Sequence, residues 1–117
     1  MTTGDAPTGI VFELGPRKFF LDFDRVAFIA PARHVVNGRL TLPRGEIPLI
    51  DLRERLGLPH SDHRRRAVAV KGRFGFYALA VDKADLAFSL DRYPGLEIFD
   101  LDVVVPEDEE RRLFAVG

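Results

Sequence analysis

The sequence contains no cysteine and no tryptophan among its 117 residues. The absence of cysteine excludes a disulfide framework, a thiolate metal site and a cysteine nucleophile. The two signs of charge nearly balance, because 17 basic side chains stand against 18 acidic ones. Nucleic-acid binders concentrate positive charge on one face, so this balance argues against nucleic acid as the main partner.

Long apolar runs are also missing. No run approaches the about 20 residues of a membrane-spanning helix, and the N-terminus lacks the basic start and the apolar stretch of a signal peptide. We therefore expect a cytoplasmic protein without direct membrane insertion. The hydrophobic fraction of 46% is typical of a globular chain, and the length allows one domain. We assign residues 1–9 to a disordered lead-in and residues 10–117 to a single domain.

Short segments with alternating apolar side chains predict an all-β fold. Residues 10–23 alternate with a period of two on both sides of a glycine–proline turn, which predicts a hairpin. Asn37 and Gly38 both tolerate the positive φ of a tight type I′ turn, which predicts a second hairpin over 34–42. Further strands are predicted at 26–30, 47–50, 67–70, 74–81, 86–90, 101–105 and 112–116.

One short helix is predicted after Asp51, which can cap its start. Leu52 and Leu56 lie one turn apart on one face, and Gly57 suits a left-handed helix end. Pro48, just before this helix, has no amide hydrogen to donate to a neighbouring strand. We therefore expect its strand to lie at a sheet edge or to carry a bulge.

The residue types that catalysis needs are not arranged for it. Nucleophile, base and acid types meet only in the tetrapeptide His60-Ser61-Asp62-His63. Adjacent residues cannot form a catalytic triad among themselves, because the base must reach the nucleophile from another element. This tetrapeptide with His34 is too small a ligand set to predict a dedicated metal site. We predict that the protein is not an enzyme and has no cofactor and no metal.

Two runs of charged residues and two glycines are the remaining candidates for a binding site, and none of them predicts a specific one. Arg64-Arg65-Arg66 is either a solvated loop or a contact for a phosphate or an acidic partner. Residues 107–112 balance their acids with arginines, which predicts an exposed loop. Gly72 and Gly75 lie between two predicted strands, whereas a nucleotide cradle needs a strand followed by a helix. By elimination, the sequence favours a module that binds other proteins.

The stretch Gly38–Leu58 resembles the signature region of the CheW-like family, in which a turn precedes a Pro-Val-Ile-Asp-Leu strand and a short helix that ends in Leu-Gly. The most specific part is Pro48-Leu49-Ile50-Asp51-Leu52, followed by Leu56-Gly57. The segments 12–23 and Leu79–Lys83 are similar to other strands of the family. The resemblance extends over residues 10–105.

This resemblance implies two small SH3-like barrels of five strands with one short helix, and no enzymatic activity. Family members couple chemoreceptors to a CheA-type histidine kinase in bacterial chemosensory arrays. The resemblance implies that a receptor's cytoplasmic hairpin tip lies in the groove between the barrels, near the arginine–glycine turn, and that the kinase binds the first barrel. The implied contact residues are Val26, Ile29, Arg44, Gly45 and Leu49.

The chain is shorter than is usual for the family, which implies a truncated first barrel. Ala30–Asn37 stands in place of a proline-rich crossover, and Arg112–Val116 in place of a longer last pair of strands. Shortened coupling proteins of the gliding-motility Frz pathway have this general character. Two alternatives stay open: an accessory modulator that has lost kinase docking, and a homodimer that covers an open strand edge. A small-barrel binder of a ligand or nucleic acid through His60–Arg66 is the less favoured alternative.

Overall fold

The computed structural model of the protein describes residues 7–36, 38–59, 66–88 and 93–115. Ten strands follow one another within these ranges: β1 (Gly9–Leu14), β2 (Arg17–Asp22), β3 (Val26–Ala30), β4 (Val35–Val36), β5 (Arg39–Leu42), β6 (Gly45–Asp51), β7 (Arg66–Lys71), β8 (Phe76–Val81), β9 (Lys83–Ala87) and β10 (Glu97–Ile98). The same ranges contain three α-helices: α1 (Leu52–Arg55), α2 (Leu101–Val104) and α3 (Glu107–Leu113). Short 3₁₀ turns cover Phe23–Arg25 and Ala32–His34.

The strands form two sheets. One has four strands in the order β10-β2-β1-β9, and the other has six in the order β3-β7-β8-β6-β5-β4. Neighbouring strands are antiparallel, except that β6 runs parallel to β8 and β10 runs parallel to β2. The predicted all-β class is confirmed.

Both predicted hairpins are present. β1 pairs with β2 across a two-residue turn, and β4 pairs with β5. Gly38, between β4 and β5, has a φ of +74°, a left-handed value that glycine adopts without steric cost. Asn37, the other residue of this predicted turn, lies outside the described residues.

Two predicted boundaries shift in the structure. β1 begins at Gly9, so the predicted lead-in over 1–9 already includes a strand residue, and residues 1–6 lie outside the described part. The strand predicted at 86–90 is β9, which begins earlier and ends at Ala87. Residues 89 and 90 lie outside the described ranges.

The facing sides of the two sheets enclose one apolar core, which we call the main core. Both sheets and the segments of α1 and α2 contribute to it: Ile10, Phe12, Leu14, Phe19, Leu21, Val26, Ile50, Leu52, Val68, Val70, Tyr77, Leu79, Val81, Phe99, Leu101 and Val105. Phe12 stacks on Phe19 with ring centroids 5.3 Å apart, and Phe99 packs edge-on against Phe12 at 5.1 Å. These aromatic contacts pack the residue that follows β10 against β1 and β2 within the main core.

A smaller apolar cluster, the small core, lies on the other side of the six-stranded sheet. It contains Ala30, Leu40, Ala67 and Ala78, with Val35, Leu42, Ile47 and Leu49 packed against them. Ile50 belongs to the main core and its neighbour Leu49 to the small core, so the two cores lie on opposite faces of β6. Burial on both faces explains why β7 and β8 are apolar almost throughout rather than alternating.

Pro48 corrects the expectation of an edge or a bulge. β6 lies between β5 and β8, so its strand is interior to the sheet. Pro48 pairs with Arg39 of β5, while pairing with β8 starts only at Leu49. The two-residue turn makes Leu42 and Gly45 a hydrogen-bonded pair, and alternation then makes Arg39 and Pro48 a pair without hydrogen bonds. The Pro48 nitrogen therefore faces β8, where pairing begins only at the next residue, so the missing amide hydrogen lies at the start of the β6–β8 ladder and interrupts neither ladder.

The predicted helix after Asp51 is confirmed as α1. The Asp51 carboxylate accepts a hydrogen bond from the Arg53 N–H at 3.1 Å, which is the expected cap. Gly57, beyond the helix, has a φ of +72°. Leu52 is fully buried in the main core, so the packing of this one leucine stabilises a helix too short to form alone.

The strand predicted at 101–105 is wrong, because α2 lies there. The Asp100 carboxylate caps this helix. Leu101 and Val105, one helical turn apart, are 2% and 0% exposed, whereas Val103 between them is 71% exposed. Packing with a helical period on the main core therefore overrides the strand preference of consecutive valines.

The exposed loop predicted at 107–112 is wrong, because α3 covers Glu107–Leu113. The strand predicted at 112–116 is also wrong over its described residues, since 112 and 113 belong to this helix and 114 and 115 to no strand, while residue 116 lies outside the described part. Pro106 precedes the helix, its first turn is acidic, and Arg111 and Arg112 lie in its last turn. This order of charges suits the helix dipole. No helix in the described part of the chain is long and apolar enough to cross a membrane.

A partly buried ion pair connects helix α1 with two turns. Arg53 donates from Nε to Asp82 Oδ1 at 2.9 Å and from Nη1 to the Pro59 carbonyl at 2.7 Å. The Gly15 N–H donates to Asp82 Oδ2 at 2.7 Å. The hydrogen bond to Asp82 raises the pKa of Arg53 above its ordinary value. The pair therefore fixes α1, the β1–β2 turn and the β8–β9 turn relative to one another.

The α2 assignment can be tested with two matched truncations. Leu101→Ala should lower the free energy of unfolding by about 3 kcal/mol, because it opens a cavity in the main core. Val103→Ala should change it by less than about 0.5 kcal/mol, because that side chain faces solvent. Urea unfolding followed by circular dichroism measures both. A strand at this position would instead bury Val103 on the same face as Leu101. The two variants would then lose similar amounts of unfolding free energy.

Candidate protein-binding surface

The turn between β5 and β6 presents the arginine–glycine pair. Pro43 and Arg44 form the two-residue turn, and both are exposed. Arg44 forms no ion pair or hydrogen bond with the described residues, so its guanidinium is available to a partner. Gly45 has a φ of +142° with nothing within 4 Å of a hypothetical Cβ, so backbone conformation alone favours glycine there. The hairpin thus presents one positive charge that no described residue pairs with.

Val26 and Ile29 lie on β3, an edge strand of the six-stranded sheet. Val26 is 7% exposed and belongs to the main core, and Ile29 is half-buried against the same core. The pairing of β3 with β7 shifts register between Val26 and Phe28. This irregularity turns Phe28 outward, where it is 37% exposed. Phe28 is therefore the most exposed side chain of β3. It is not among the contact residues that the sequence resemblance implied.

Leu49 lies elsewhere, in a groove between β6 and α3. The groove has a volume of about 420 Å³ and is lined by Leu49, Ile50, Asp51, Glu54, Arg55, Glu109 and Leu113. Arg55 forms an ion pair with Glu109 across it. Leu49 is half-buried and also packs on the small core.

The structure therefore brings only some of the expected contact residues together. Arg44 and Gly45 are neighbours on one turn, and Val26 and Ile29 share a strand. Leu49 belongs to the opposite face of the sheet from Val26, because the two residues pack in different cores. The five residues do not form a single continuous surface.

A buried polar cluster under α3 was missed by the sequence analysis. Glu110 is fully buried; its Oε2 accepts a hydrogen bond from the Phe74 N–H at 2.9 Å, and its Oε1 accepts one from Arg73 Nη1 at 3.2 Å. A Cβ on Gly72 would lie 2.6 Å from Glu110 Oε2 and 2.6 Å from the Tyr77 ring, so only glycine fits there. The cluster anchors α3 to the β7–β8 hairpin. The acidic first turn after Pro106 was a helix signal, but nothing in the sequence marks Glu110 as the residue that points inward.

Asp102 connects this cluster to the rest of the molecule. Arg25 donates from Nη1 and Nη2 to its two carboxylate oxygens at 3.1 Å each, and Arg73 Nη2 lies 3.3 Å from Oδ1. The hydrogen bond from Arg25 lowers the pKa of Asp102 below its ordinary value. These contacts order the end of the β7–β8 hairpin, where Phe74 and Phe76 are 44% and 52% exposed.

Of the catalytic, metal and basic-loop candidates, the structure describes only His34, at the end of the 3₁₀ turn Ala32–His34, and Arg66, the exposed first residue of β7. The tetrapeptide 60–63, Arg64 and Arg65 lie outside the described residues, as does Ser89. Among the residues that are described, no group of three or more His, Asp or Glu side chains is arranged to hold a metal ion.

Comparison with known proteins shows the fold. No protein-family model and no curated protein matches the sequence. The chain is similar in structure to the scaffolding protein TtCheW from Thermoanaerobacter tengcongensis, with a TM-score of 0.64 and 18% sequence identity. The similarity covers 89% of this chain and 96% of that one. The chain therefore has a CheW-like fold of small SH3-like barrels, which confirms the fold that the sequence resemblance implied.

Tyr77 gives a test of the buried cluster that depends on pH. Its hydroxyl is buried with no hydrogen-bond partner among the described residues. Burial, and then the charge of Glu110, raise its pKa well above the ordinary value of 10.0. At alkaline pH the unfolded chain releases this proton while the folded chain keeps it. The free energy of unfolding should therefore be intact below pH 10 and fall as pH rises towards the folded pKa.

Tyr77→Phe should reduce this alkaline loss and leave stability at neutral pH equal or higher by about 1 kcal/mol, because it removes an unpaired buried hydroxyl. Tyr93→Phe, which removes the other tyrosine of the chain, serves as the matched control and should retain the loss. Urea midpoints across the alkaline range measure all three proteins. An equal alkaline loss in wild type and Tyr77→Phe would contradict the description of the cluster.

Proposed function

We propose that this chain is a non-catalytic adaptor in a bacterial chemosensory system, and that it binds the cytoplasmic hairpin of a chemoreceptor at the surface around the β5–β6 turn. The observation that carries the proposal is the CheW-like fold over 89% of the chain, together with an exposed arginine–glycine turn within the signature stretch. The solved protein with this fold is described as a scaffolding protein. The absence of an assembled catalytic constellation in the sequence points the same way.

The geometry of the turn supports a binding role for Arg44. Arginine offers five donors in a planar fork, which suits a carboxylate or backbone carbonyls of a helical partner. The turn that carries it is fixed by the pairing of β5 with β6, so its backbone loses little conformational entropy on binding. The half-buried Ile29 and Leu49 remain proposed contacts, whereas Val26, at 7% exposed, offers a partner little area.

An accessory modulator that binds the receptor without the kinase is the second candidate. The observation in its favour is the short connection between β3 and β4, which consists of Pro31 and the 3₁₀ turn Ala32–His34. β4 itself has only two residues. A barrel with so short an edge offers less surface to a kinase domain that docks along strand edges.

The receptor-binding role is tested by titrating the full chain with a chemoreceptor signalling-tip fragment in an isothermal calorimeter. Arg44→Ala should weaken binding about tenfold, which corresponds to about 1.4 kcal/mol. Arg112→Ala, an exposed arginine on α3, is the matched control and should bind like the wild type. Thermal melts of both variants should match the wild type, since neither side chain supports the core. Equal affinity in Arg44→Ala and wild type would remove Arg44 from the site.

A second titration, with the regulatory domain of a CheA-type kinase, distinguishes the two candidates. A coupling protein should bind both the receptor fragment and the kinase domain. An accessory modulator should bind the receptor fragment alone. Kinase binding with affinity similar to receptor binding would contradict the modulator, and silence with both partners would contradict the adaptor role itself.

A further inference from the structure

The outer edge of β9 is the most open strand edge in the described structure. The two sheets end in four edge strands, of which β4 and β10 have only two residues each. β3 has five residues but carries a register irregularity, which is a common protection of an edge. β9 also has five residues, and its pairing with β1 is regular from Lys83 to Ala87. Long regular edges are the ones that recruit another strand.

The backbone of β9 offers hydrogen bonds on this edge. The Ala87 carbonyl accepts a hydrogen bond from the Thr8 N–H at 2.8 Å, so the backbone groups of Ala87 face the β1 side. In an antiparallel ladder these directions alternate along the strand. The N–H and C=O groups of Ala84 and Leu86 therefore face outward, and no described strand pairs with them. Phe88 is the first residue after β9, and the same alternation continued by one residue would turn its backbone groups outward as well.

The side chains of the same three residues form an apolar row. Leu86 is 47% exposed and Phe88 is 54% exposed, while Ala84 packs partly on the main core. Leu86 lies directly opposite Ile10, which is fully buried in the main core. The row thus extends the apolar surface of the main core to the open edge of β9, where Leu86 and Phe88 are about half exposed to solvent.

We propose that two copies of this chain associate by antiparallel pairing of their β9 edges about a two-fold axis at Leu86, which would join two four-stranded sheets into one of eight. In this register Leu86 faces Leu86 of the partner subunit, and Ala84 faces Phe88 of the partner subunit. All three outward-facing backbone positions then form hydrogen-bonded pairs, and the apolar rows cover each other. A two-fold interface uses the same patch on both copies, as this edge requires.

Electrostatic repulsion favours an axis at Leu86 over an axis one residue earlier. An axis at Asp85 would place two aspartates directly opposite each other, which is destabilising. With the axis at Leu86, Asp85 instead faces Ala87 of the partner subunit. Lys83 lies near the end of the paired segment, where its charge stays in solvent. A second copy therefore fits the edge better than an arbitrary strand, because its own sequence supplies the matching apolar row.

Sedimentation velocity of the full chain over a wide concentration range tests the association. The apparent mass should rise from 13.2 kDa towards twice that value as concentration increases. Leu86→Lys should keep the protein monomeric, because it places two like charges at the axis. Ile98→Lys is the matched control, since Ile98 is 71% exposed on the opposite edge of the same sheet, and it should associate like the wild type. Circular dichroism melts check that both variants are folded.

A cross-link tests the register independently. The chain has no cysteine, so Leu86→Cys introduces one thiol per copy. Hydrogen-bonded antiparallel partners have Cα atoms about 5.5 Å apart, within the span of a disulfide. Mild oxidation should give a covalent dimer in Leu86→Cys and little in Ile98→Cys. A wild type that is monomeric at all concentrations, a Leu86→Lys variant that still associates, or equal cross-linking of the two cysteine variants would overturn the proposal. None of these readouts depends on receptor or kinase binding.

Discussion

Both sheets of the molecule pack against the main core, and the rest of the architecture follows from that shared burial. The four-stranded sheet contributes the Phe12 and Phe19 rings, the six-stranded sheet contributes the apolar faces of β7 and β8, and α1 and α2 cover the ends with one leucine each. Neither sheet would be stable in isolation, because each has at least one apolar face that must be kept from water. The Arg53–Asp82 ion pair supplements the core by joining α1 to the β1–β2 and β8–β9 turns.

The parts of this fold that could be predicted from the sequence are the parts that local residues determine. The hairpins depend on turn residues such as Gly38, and α1 depends on a cap at Asp51 next to a buried leucine. The helices after Asp100 could not be predicted from local residues. Val103 and its neighbours have a strand preference, and only packing on a core assembled from distant strands makes the helical period favourable.

In the candidate site, too, local residues determine some features and distant contacts determine others. Arg44 and Gly45 are exposed as expected, because a tight turn at the end of two paired strands projects into solvent. The orientation of β3 could not be predicted, since a register irregularity between Val26 and Phe28 decides which side chains turn outward. Leu49 and Ile50 are both apolar, and the sequence does not say which of them faces which core.

The proposed adaptor role needs ordered surfaces rather than reactive groups, and the turns and edges of this fold would supply them. The buried carboxylate of Glu110 illustrates how: it anchors α3 and orders the hairpin end that carries two exposed phenylalanines. A buried charge of this kind is costly unless it is fully paired, so its hydrogen bonds to Arg73 and to the Phe74 amide are what make the arrangement stable. Surfaces held in this way can bind a helical partner without first becoming ordered.

The most direct test of the adaptor account is a map of the bound surface on the protein itself. A ¹⁵N-labelled sample of the full chain would be titrated with an unlabelled chemoreceptor signalling-tip fragment, and amide chemical shifts followed residue by residue. The account predicts that the largest changes occur at Arg44, Gly45 and the adjoining residues of β5 and β6. Changes confined to other surfaces, or no changes at saturating fragment, would contradict it.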